Sequence, residues 1–218
     1  MNRSFIRLTS VALTVAALIS SVPSRAHAVA EFGTRCQKSF QNGWQNTLPY
    51  MYDRCGGFND ELNNTDTNLF YFDLTGTGSG FTFNDGSSNA GGVDAVDLFY
   101  VSTHGGAKSS QTSARLAMWQ QNLRTFSSNW RFGDNADGAR IFSQYACETL
   151  WLDDYSYDRW DQVFKGGLQL ATGSHDKLYD GLTTDETGED YADDLQDGKS
   201  VKWAWFDGNG DWYAAQDV

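Results

Sequence analysis

Two short apolar runs, each ending in one reactive side chain, constrain the fold of this chain more than any other feature. Residues 96–106 (VDLFYVSTHGG) lead to His104, and residues 139–148 (ARIFSQYACE) lead to Cys147. Apolar runs of this length, bounded by turn residues, read as strands buried on both faces, as in a parallel sheet. Side by side in one sheet, they bring His104 and Cys147 to the same carboxyl edge, where sites form in such sheets. An imidazole and a thiol are the minimum equipment for nucleophilic acyl transfer.

The cysteine count sharpens the thiol's role. Residues 1–28 read as a secretory signal peptide: Arg3 and Arg7 form a basic start, an apolar run covers 11–19, and Ala26-His27-Ala28 forms a small-x-small cleavage site. The expected compartment is therefore secreted or periplasmic, with no membrane association after cleavage. Three cysteines follow the signal, an odd number for an exported chain. Cys36 and Cys55 are close in sequence and are natural disulfide partners, which leaves Cys147 as the unpaired thiol. His27 leaves with the signal, so any histidine chemistry rests on His104 or His175.

Loss of the signal removes three arginines and no acid, taking the formal charge from −12 to −15. Such a surface repels phosphate backbones and argues against nucleic acid as a partner. Beyond the signal, 190 of the 218 residues form one domain's length of chain. Residues 29–67 read as a polar N-terminal segment carrying the disulfide, and 68–218 as the α/β domain. A first strand is expected at 68–74, a short hairpin around 81–83, and an amphipathic helix or irregular excursion at 114–126. A helical turn is expected at 160–164, a strand at 168–172, a helix at 190–196, and a last strand or helix start at 201–206. Strands alternating with crossovers point to an α/β sandwich with a mostly parallel sheet.

The order His-Gly then Ala-Cys, 43 residues apart, resembles the caspase-like (clan CD) cysteine peptidases, a group that includes caspases, metacaspases, legumain, gingipain, clostripain and separase. The likeness extends through Cys147-Glu148-Thr149-Leu150, Phe164-Lys165-Gly166-Gly167-Leu168, Tyr191-Ala192-Asp193-Asp194-Leu195 and Trp203-Ala204-Trp205, and looks like a secreted bacterial branch of that group. It implies a three-layer α/β/α sandwich with a His104–Cys147 dyad, Gly105 at an oxyanion hole, and a peptide or protein substrate; the residues themselves also put the Cys147 amide beside Gly105 as an oxyanion donor. It implies no cofactor and no metal. Two departures stand out: Tyr145 occupies the position where Gln or Asp often precedes Ala-Cys, and no Asp-x-Asp pair or maturation loop is visible.

Asp97, Glu148 and His175 are further candidates for substrate binding, the carboxylates as partners for a basic side chain. Asp207-x-Asn209-x-Asp211 begins like a calcium loop but lacks its glycine and its twelfth-position acid. The sequence leaves two other functions open beside the peptidase. One is a catalytically inactive binding domain on the same scaffold; the other is a carbohydrate-binding protein using tryptophans such as Trp44, Trp119, Trp130, Trp151 and Trp160. It sets no oligomeric state.

Overall fold

The computed structural model describes residues 31–62, 67–72, 83, 92–107, 112–121, 125–133 and 138–210. The signal peptide therefore lies outside the described residues, as does the hairpin expected around 81–83, Phe83 excepted. The central sheet holds β1 (Glu31–Cys36), β2 (Thr67–Phe72), β3 (Leu98–Ser102), β7 (Ile141–Tyr145) and β8 (Leu170–Thr172). Its strand order is β2-β1-β3-β7-β8, and every neighbouring pair is parallel. A second, antiparallel sheet is formed by β4 (Gly105–Gly106), β5 (Arg115–Leu116) and β6 (Thr125–Phe126).

Mixed α/β architecture with a parallel sheet is thus as the sequence predicts. Alternation along β3 shows why its run is apolar throughout. Leu98 and Tyr100 enter one core with Phe32, Phe58, Tyr191 and Trp205, whereas Phe99 and Val101 enter another with Phe142, Trp130, Trp160 and Val163. The first core is closed by the helices α1 (Met51–Leu62), α3 (Thr187–Gln196) and α4 (Val201–Gly210), and the second includes Trp160 and Val163 of α2 (Ser156–Phe164). Phe58 stacks on Tyr100 with ring centroids 4.4 Å apart, so α1 packs directly on the strand that leads to His104.

The N-terminal segment is where sequence reading and structure differ most. Residues 31–36 are a strand inside the sheet, between β2 and β3, and 51–62 are a helix. Polar-looking EFGTRC conceals this because Thr34 and Arg35 are buried and Gly33 leaves room for a neighbour. A side chain at Gly33 would come within 2.7 Å of the Phe99 ring, so the glycine marks a close approach within the sheet. In α1, Met51, Arg54, Cys55, Phe58, Asn59 and Leu62 form one buried stripe at helical spacing, and this packing overrides the two poor helix formers Gly56 and Gly57. The segment read as a polar prelude is thus part of the same sheet and core.

Residues 114–121 and 125–126, the described part of that stretch, follow the irregular alternative, not the helical one. Their two-residue strands clip onto Gly105–Gly106, with Ala114, Leu116 and Met118 buried. The expected helix at 190–196 begins earlier, at Thr187, and 201–206 opens a helix.

Cys36 and Cys55 are joined as a disulfide across 19 residues, tying the end of β1 to α1. Closing a loop of this length stabilises a fold by about 3 kcal/mol. The Cys36→Ser/Cys55→Ser double variant is expected to lose about that much unfolding free energy in urea titration. An unchanged midpoint would show that the link carries no stability.

Candidate active site

Strand register brings the two reactive residues together. Ser102 of β3 pairs with Tyr145 of β7, and His104 and Cys147 each lie two residues beyond this last pair. The Thr103 N–H donates to the Tyr145 carbonyl at 3.3 Å, prolonging the pairing toward the site. β1 sends its connection to β2 on one side, whereas the chain after β3 leads to β7 on the other. The sheet therefore has a topological switch between β1 and β3, the location where parallel sheets open a crevice beyond their carboxyl ends.

Gly105 lies against the backbone of Cys147 where the two strand ends meet. A Cβ there would sit 2.5 Å from the Cys147 carbonyl oxygen and 2.9 Å from its nitrogen, so glycine permits the approach. Beyond the cysteine the chain turns sharply, with Glu148 at φ 54°, a left-handed conformation that is strained for a residue bearing a side chain. The Glu148 N–H is held by the Asp176 carbonyl at 3.0 Å.

Cys147 is half-buried and unpaired. Its sulfur accepts the Leu178 N–H at 3.3 Å, and its thiol donates to the Leu178 carbonyl at 3.6 Å. Burial pushes the thiol up from its ordinary value. The Leu178 N–H opposes this, the Glu148 carboxylate adds to it, and the N–H groups of Cys147 and Gly105 also favour the thiolate.

His104 is half-buried against Phe40, with ring centroids 5.3 Å apart, and its Nε2 lies 2.8 Å from the Asn46 carbonyl. A carbonyl only accepts, so Nε2 carries the proton and Nδ1 is left as the basic nitrogen. His104 and Cys147 line one cavity of about 230 Å³, shared with Asn46, Arg54, Tyr145 and Asp180. A second cavity of about 210 Å³ opens on the other side of His104, between Trp44 and Arg115. Residues 44–48 thus form a wall of the site, held by the Trp44 indole donating to the Trp119 carbonyl at 3.0 Å and the Leu48 N–H to the Lys38 carbonyl at 3.1 Å.

The other candidates separate. Asp97 precedes β3, and its carbonyl accepts the Arg140 and Ile141 N–H groups at 2.9 and 3.0 Å. That places it a full strand away from His104, about 20 Å along the chain at the usual rise, at the opposite edge of the sheet. Asp97 is therefore no part of this pocket. Glu148 adjoins the sulfur but does not line the cavity. His175 packs at a tilt against Trp151, ring centroids 5.0 Å apart, and its Nδ1 accepts the Leu152 N–H at 3.0 Å, so its acceptor lone pair is already engaged. Trp130 and Trp160 are buried in the core, and Trp44, Trp119 and Trp151 are half-buried.

Arg54 and Asp180 were not singled out by sequence. Arg54 is buried, with its Cζ 3.9 Å from the Tyr145 ring centroid and its Nη2 3.3 Å from Asp180 Oδ1. The unusual Tyr145 ahead of Ala-Cys was their only signal: it is the surface on which the guanidinium rests.

Residues 34–216 match the family described as Domain of unknown function (DUF6345). The chain belongs to this family. The DUF6345 match spans both the N-terminal strand and the His- and Cys-bearing strands, in keeping with one continuous domain. Neither the curated proteins nor the solved structures contain a match to this DUF6345 chain. Among the described residues of the DUF6345 domain, no helix is long and apolar enough to cross a membrane.

Two outcomes follow from this geometry. Iodoacetamide labelling of Cys147 in the resting protein is expected to reach half-maximal rate above the ordinary thiol value of about 8.5, because burial disfavours the thiolate. Gly105→Ala is expected to cost about 1–3 kcal/mol by forcing the strand ends apart. A thermal melt indistinguishable from the unaltered protein would show that the contact has slack.

Proposed function

We propose that this protein is an exported cysteine peptidase-like hydrolase on a three-layer, caspase-like α/β/α scaffold, acting on peptide bonds. The observation that carries the reading is the cavity that Cys147 and His104 line together at the ends of two paired strands. Export rests on the signal-like first 28 residues and agrees with the Cys36–Cys55 disulfide.

In this mechanism the resting thiol is protonated, since burial raises it. His104 takes the proton through Nδ1 as the sulfur attacks the scissile carbonyl carbon. The Gly105 and Cys147 N–H groups hold the negative charge that develops on the carbonyl oxygen. His104 then passes its proton to the leaving amine, the C–N bond breaks, and a thioester remains on Cys147. Water, deprotonated by the same imidazole, hydrolyses the thioester and restores the thiol. The Asn46 carbonyl keeps the ring oriented throughout, in the way that acceptors behind a catalytic imidazole fix its tautomer.

The second reading is a binding domain that keeps the scaffold without catalysis. It is favoured by the Leu178 backbone, which already satisfies the sulfur in both directions. Turnover of peptide-amide substrates by the mature protein distinguishes the two. Under the peptidase reading, Cys147→Ala abolishes turnover, and His104→Ala lowers kcat/KM by about 10²–10⁴-fold with the fold intact by circular dichroism. Turnover surviving Cys147→Ala would refute the nucleophile. A thiol that alkylates only on unfolding, with no turnover, would favour the binding domain.

A further inference from the structure

Beside the sulfur, the cavity continues to a floor made by Arg54, Asp180 and Tyr145. The whole cavity, about 230 Å³, has room for an amino-acid side chain beside the sulfur. We propose that this floor is the side-chain specificity subsite, and that it selects an uncharged carboxamide, asparagine or glutamine, on the acyl side of the scissile bond. The inference rests on the peptidase reading of Cys147 and His104.

Charge balance is the first argument. Arg54 and Asp180 form an ion pair at 3.3 Å, with side-chain exposures of 1% and 11%. Apart from His104, no other ionisable side chain but Tyr145 and the thiol faces the cavity closely enough to matter, Tyr179 being largely exposed. Burial raises the Tyr145 phenol, which stays neutral and donates to the Tyr179 carbonyl at 3.2 Å. The floor is therefore both highly polar and without net charge. A lysine, arginine, aspartate or glutamate entering it sheds its hydration and finds no uncompensated counter-charge.

Hydrogen-bond accounting is the second argument. Arg54 Nε donates to the Thr184 carbonyl at 2.9 Å and to Thr187 Oγ1 at 3.1 Å. Its Nη2 donates to Thr184 Oγ1 at 2.8 Å and to Asp180 Oδ1. Its Nη1 makes no hydrogen bond to any described residue, although the side chain is almost wholly buried. On the other side, Asp180 accepts Arg54 at Oδ1 and the Tyr50 N–H at 3.2 Å at Oδ2, and each carboxylate oxygen has further acceptor capacity. An uncommitted donor thus adjoins a carboxylate. A carboxamide offers the complement, one acceptor oxygen and a two-proton donor nitrogen, with no charge to desolvate. A site built around such groups rejects apolar side chains too, because filling it with one would bury the donor without a partner.

Peptide affinity labels test the assignment. Peptidyl chloromethyl ketones that differ only in the residue next to the warhead (Asn, Gln, Asp, Lys or Leu) alkylate a cysteine as the S–C bond forms and chloride leaves. Mass spectrometry reads modification of Cys147 in the mature protein. The expected result is labelling by the Asn or Gln reagent at least tenfold faster than by the Asp, Lys or Leu reagents. Asp180→Asn, which keeps the shape but leaves Arg54 uncompensated, is expected to move the preference toward Asp. Equal labelling by all five reagents, with Cys147 reactive, overturns the carboxamide subsite and leaves the peptidase reading standing. So does an Asp or Lys preference that Asp180→Asn does not alter. If no reagent and no iodoacetamide modifies folded Cys147, the peptidase reading itself fails and takes the subsite with it. Should Asp180→Asn unfold, the reagent series on the unaltered protein still decides the question.

Discussion

The parallel pairing of β3 with β7 is the constraint on which the rest of the site depends. With Ser102 opposite Tyr145, the two chains leave the sheet in step, and equal extensions of two residues deliver His104 and Cys147 to one cavity. A slip of one residue would turn every side chain of one strand to the opposite face. Such a slip is resisted by the two cores, since Phe99 and Val101 are matched to one and Leu98 and Tyr100 to the other. The packing of the sheet and the alignment of the dyad are thus the same requirement, expressed at two places along the strands.

Residues 31–62 contribute as much to the site as the strands that carry the reactive groups. β1 sits next to β3, and the chain that leaves it supplies Phe40 against the imidazole, the Asn46 carbonyl at its Nε2, and Arg54 in the cavity floor. Arg54 is tied in turn to the 180–187 region, and Asp180 to the Tyr50 N–H. Two segments 130 residues apart in sequence are therefore locked together directly beneath the sulfur. A buried ion pair of this kind adds little net stability, but losing one partner strands the other's charge, which fixes the geometry of the floor.

How much of this was legible in the sequence follows from the physics of each element. The His- and Cys-bearing strands were legible because both of their faces are buried, which leaves uninterrupted apolar runs. β1 was not, because its inward positions are filled by Thr34, Arg35 and a glycine that yields to the Phe99 ring. Helix α1 hid behind Gly56 and Gly57, whose weak propensity is outweighed by its buried stripe. Asp97 looked near the site because it is close to His104 in number, but an extended strand separates them by its whole length. Arg54 and Asp180 carried no local pattern at all: only the fold brings them together, and the aromatic residue at 145 was the sole trace of that meeting.

The hydrogen bond from His104 to Asn46 has an unusual consequence for how this site can vary. The acceptor is a main-chain carbonyl, so the side chain at 46, which is exposed, plays no part in it. Replacing that side chain leaves the oxygen where it is. What matters is the path of the chain from 40 to 48, pinned by the Trp44 indole and by backbone bonds to Trp119 and Lys38. Substitution scanning, which deletes side chains one at a time, is blind to such a contributor. Its signature is intolerance of inserted or deleted residues around a position whose own side chain can be exchanged.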